Sequence, residues 1–81
     1  MNKVQIAANL YECRDTAKRF FREEYRSKLE PYKLIIQAVM KANNVDEMSA
    51  LLLISKTETY QEEPMRQILF MAAVVELVEP S

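Results

Sequence analysis

Four cations recur at steps of four in the first third of this chain: Arg14, Lys18, Arg22 and Arg26. On a helix that spacing keeps them on one face. The four side chains would then form a basic ridge, suited to phosphates or to an acidic protein surface. Arg19 and Lys28 flank the ridge and Lys33 follows it, with Tyr25 and Tyr32 able to add flat contact area. The same stretch also carries Asp15, Glu23 and Glu24. Asp15 with Arg19, and Glu24 with Lys28, have the i, i+4 order of ordinary surface ion pairs, so a plainly solvated face is the competing reading.

Other reactive side chains are sparse. Glu58, Glu62 and Glu63 cluster before a proline, and buried carboxylate pairs can move protons or hold Mg²⁺. Here they sit among polar residues in an expected exposed loop, close to a helix start whose dipole favours acidic groups. Cys13 is the only cysteine, and it shares an apolar face with Leu10 and Ala17, so it reads as a small buried hydrophobe rather than a reactive thiol.

Two absences narrow the chemistry further. There is no histidine, which removes the usual general base, metal ligand and activator of a nucleophile. There is no glycine either, so Gly-rich phosphate loops are excluded. Zinc-type sites need clustered Cys and His. No catalytic residues, metal, cofactor or small-molecule substrate are therefore expected, and the chain reads as a non-enzyme.

The positioning elements follow from periodicity and breakers. Leu10, Cys13, Ala17, Phe20, Phe21, Tyr25 and Leu29 recur at three- and four-residue steps, predicting a first helix over about 3–29. Pro31 is expected to bend the chain and open a second helix over 31–42. Asn43-Asn44 is the expected stop, since asparagine tolerates left-handed backbone. A third helix over 45–56 begins at NVDE, capped by Asn44 or by Asp46. TETYQEE reads as a loop, and the fourth helix starts at Pro64 and runs to about 78, because a proline deeper in a helix would delete a needed hydrogen bond. The sum is an all-α fold: a compact bundle of about four helices in a single domain over 1–81, without a sheet.

Charge is uneven between the halves. Residues 1–40 hold eight Lys/Arg against five Asp/Glu, and residues 41–81 hold three against seven, giving +3 and −4. The total is −1, whereas nucleic-acid domains are usually basic overall. A helix-turn-helix across 31–56 is weakened because EMSALLLIS offers no base-reading cation before Lys56. The N-terminal apolar run is too short and broken for a secretion signal. No run approaches the roughly 20 apolar residues that span a bilayer, and a lone thiol suits a reducing compartment; a cytoplasmic location is expected.

The last feature is ILFMAAVV, eight apolar residues from Ile68 to Val75 that leave no polar face on a helix. Either its own chain buries it wholly, or part of it, among Phe70, Met71, Val74 and Val75, remains as a surface patch. On the second reading Phe70 and Val74 join Arg14, Lys18, Arg22 and Arg26 as candidate partner contacts. The expected role is a small protein that binds a protein partner stoichiometrically, as an inhibitor, adaptor or regulator. Size and composition fit the products with which phages and mobile elements block host machinery, such as a bacterial immune complex. The alternatives are a nucleic-acid-binding regulator using the ridge, and a structural homo-oligomer joined through the fourth helix.

Overall fold

A chain without glycine must assign its left-handed backbone positions to other residues, and among the described residues they fall to Arg22 and Asn44, both at φ 53°. These two positions end the first two helices. The computed structural model describes the backbone of residues 3–80, with side chains from Asn9 onward. Helix α1 is Lys3–Phe21, and a 3-10 turn over Arg22–Glu24 leads into α2, Tyr25–Asn43. Then follow α3, Glu47–Ser55, a single turn α4, Glu58–Glu62, and α5, Pro64–Val78. Among the described residues there is no strand, and the all-α bundle stands.

The first break lies at Arg22, not at Pro31. A straight helix over 3–29 would be about 40 Å long. It would outrun both the molecule, whose longest axis is 33 Å, and α5, which at 15 residues spans about 22 Å. Folding at Arg22 lets α1 and α2 each lie on α5, where both pack more extensively than on each other. Helix α2 then runs straight through Pro31. The proline forfeits one backbone hydrogen bond, but Leu29, Tyr32, Ile36, Val39 and Met40 keep one unbroken apolar face on the core.

The second turn is close to its expected form. Asn44 takes the left-handed position, its N–H bonding to the carbonyl of Met40. Asp46 is the cap of α3, its carboxylate accepting from the Ser49 N–H at 2.9 Å. That bond holds the Asp46 carboxyl below its ordinary value. A depressed folded-state value means the stabilisation is present above the ordinary carboxylate range and is lost as pH falls through the lower folded value. Asp46→Ala is expected to lower Tm at pH 7 and to leave it close to that of the parent protein in strong acid, which thermal melts at the two pH values would check.

TETYQEE is more ordered than a loop. The Thr57 hydroxyl accepts from the Tyr60 N–H and caps α4, which turns Tyr60 into the core against Phe70, with ring centroids 5.8 Å apart. Glu63 is extended, and α5 opens with Pro64 in its first turn. Helix α5 is the hub of the fold: it packs against α1, α2, α3 and α4, and Leu69, Phe70 and Ala72 to Glu76 are buried.

Candidate functional site

That burial decides between the two readings of Ile68–Val75 at Phe70, Val74 and Val75. Phe70 is 4% exposed and Val74 1% exposed, and Val75 is buried beside them. Phe70 packs edge-on against Tyr32 at 4.8 Å. Neither Phe70 nor Val74 is accessible to a partner, so both leave the set of candidate contacts. Two arms, α1 and α2, close over the helix, and α3 and α4 also pack against it.

The surface apolar residues lie instead on α2. Leu34 is 62% exposed and Ile35 44%, and Pro31, Ala38 and Ala42 are also exposed. These five stand at i, i+3, i+4, i+7 and i+11, one continuous stripe on a helix. Leu34, Ile35 and Ala38 do not lie in the core. The phase of α2 is set by Tyr25 and Leu29, which puts Ile36 on the core and Leu34 opposite it. Carrying the Tyr25–Leu29 register through Pro31 is the sequence signal that finds this face. Phe20, Leu52, Leu53 and Val78 are further exposed apolar side chains. Phe20 had been placed on the buried face of α1.

The basic ridge is bent at Arg22. Lys18, Arg22 and Arg26, with Glu23 and Tyr25, line a groove at the α1–α2 corner. Lys18 Nζ lies 5.6 Å from the Tyr25 ring centroid, a cation–π distance. Arg14 is partly withdrawn from solvent: its guanidinium stands over the Tyr11 ring at 5.1 Å. Its Nε is buried, 3.5 Å from an Asp15 carboxylate oxygen but not aligned for a hydrogen bond.

Behind this groove lies a buried polar link between α2 and α5. The Tyr25 hydroxyl donates to Glu76 Oε2 at 2.6 Å, and Glu76 is 7% exposed. Burial first, then this hydrogen bond, push the Tyr25 phenol well above its ordinary value, so it remains a neutral donor throughout the physiological range. Tyr25→Phe removes that donor from a buried carboxylate and is expected to cost about 1–3 kcal/mol. A double-mutant cycle with Glu76→Leu, followed by denaturant unfolding, measures the coupling between the two side chains.

The remaining candidates take structural positions. The Cys13 thiol donates to the Met71 sulfur at 3.6 Å, and burial pushes its pKa up, the opposite of an activated nucleophile. Glu58, Glu62 and Glu63 are exposed, Glu63 lying 3.5 Å from Arg66. Among the described residues no three His, Cys, Asp or Glu side chains converge as a metal site, and no helix is long and apolar enough to cross a membrane. Comparison with protein-family models, curated proteins and solved structures gives no match to this chain.

Proposed function

We propose that this chain is a non-catalytic domain that binds a protein partner stoichiometrically, through the outer face of α2. The observation that carries this reading is the exposed stripe of Pro31, Leu34, Ile35, Ala38 and Ala42 on a helix whose opposite face already fills the core. A helix apolar on both sides is normally enclosed. Covering a Leu or Ile side chain yields about 1.5–3 kcal/mol, and apolar anchors at this spacing are how helices seat in protein grooves.

The domain acts by occupying a surface, as an inhibitor, adaptor or regulator. Such a role suits a phage or mobile-element product that blocks host machinery such as an immune complex. The test is co-purification of the tagged chain from a bacterial lysate, followed by light scattering of the recovered complex. A single partner at a fixed ratio, lost with Ile35→Asp, supports the reading. A monomer that retains no partner contradicts it, and a dimer abolished by the same substitution moves the reading to self-association through α2.

A further inference from the structure

Arg22 and Asn44 solve the same backbone problem with different residues. Both stand at φ 53° at the end of a helix. Asparagine enters this region readily, whereas most other residues meet a clash between Cβ and the following carbonyl. At the second turn the chain uses the residue the geometry prefers. At the first it uses a long cation that the geometry disfavours. Arg22 is exposed, and among the described residues its guanidinium has no ion pair or hydrogen bond to offset the strain. Strain of this kind persists where the side chain serves something else.

We propose that Arg22 occupies this position for the charge it delivers, and that the corner groove formed with Lys18 and Arg26 receives an acidic segment of the protein partner. The bend brings Arg22 into one concavity with Lys18 and Arg26, over the Tyr25 ring. A short run of carboxylates matches the Arg22 and Lys18 cations in one groove. A nucleic-acid backbone fits less well, because the chain as a whole carries −1 while nucleic-acid domains are usually basic overall. One corner groove offers few of the extended phosphate contacts that give nucleic-acid affinity. The inference rests on the protein-partner reading, but its test uses a peptide and so succeeds or fails independently of the α2 face.

The probe is an acetylated hexaglutamate peptide, titrated at low salt while the backbone amides of residues 18–26 are followed by NMR. A thymidine oligonucleotide serves as competitor. The parent chain should bind the peptide at this corner. Arg22→Asn should melt about 4–8 °C higher, as relief of the left-handed strain implies for a domain of this size. The same variant should bind the peptide about fivefold more weakly. Arg22→Lys, which keeps both strain and charge, should retain the parent Tm and most of the affinity, and Lys18→Glu should abolish binding. The proposal is overturned if the parent ignores the peptide, or if Arg22→Asn keeps either the parent Tm or the parent affinity. Tighter binding of the oligonucleotide at the same amides would also overturn it.

Discussion

Val74→Asp, or Phe70→Asp, is expected to leave the chain unfolded at room temperature. Val74 is among the largest fully buried side chains, and Phe70 is the ring on which Tyr32 and Tyr60 converge. Both lie on α5, which touches every other helix, so there is no edge of the fold toward which a charge at either position could escape. An unpaired carboxylate there costs several kcal/mol even after it takes up a proton. A domain of 81 residues has about 4–12 kcal/mol of total stability. The milder Phe70→Ala should cost about 3–5 kcal/mol and shows the same dependence in a chain that still folds. Circular dichroism and thermal melts give the result. A Val74→Asp protein with parent helicity and a cooperative melt within a few degrees of the parent would show that α5 is not the hub.

Leu34→Asp combined with Ile35→Asp should have the opposite profile. Both side chains already face solvent, so the fold loses little: surface substitutions usually change stability by less than about 0.5 kcal/mol, with a few tenths more for aspartate inside a helix. Binding should suffer far more. Anchors at the centre of an interface are worth about 2 kcal/mol or more each, which is roughly 30-fold in affinity, and a charge placed there adds desolvation on top. Titration calorimetry with the co-purified partner should find binding lost while the melting curve stays near that of the parent. Retained affinity would move the interface to another part of the surface. The α5 and α2 substitutions form a contrasting pair of experiments: the first fails by unfolding, the second by losing the partner while folded.

The parts of the fold legible in the sequence were those fixed by local chemistry. Asn44, Asp46 and Pro64 mark helix ends through their own backbone preferences and hydrogen bonds, and all three act close to where they should. The all-apolar Ile68–Val75 announced a buried helix. What escaped depended on tertiary geometry. No residue between Lys18 and Leu29 signals a stop, and Arg22 is a poor candidate for left-handed backbone; the break follows from the length of α5, which α1 and α2 must share. With a helix restarted at Pro31, the phase set by Tyr25 and Leu29 is not carried into 32–42, so no local signal tells Ile36 from Leu34 as the core residue. The candidate surface then fell on α5 instead of α2. Tyr60 was missed for a different reason: one apolar residue in a polar run gives no period, and only Thr57 as a cap turns it into the core.

The most direct measurement is the methyl NMR spectrum of the chain, isotopically labelled at Ile, Leu and Val, free and saturated with its co-purified partner. Docking through α2 requires the Leu34 and Ile35 methyl signals to shift or broaden at stoichiometric partner, while those of Ile36 and Val74, buried in the same fold, stay near their free positions. Leu34 and Ile35 methyls unchanged in the saturated complex would contradict binding through this face.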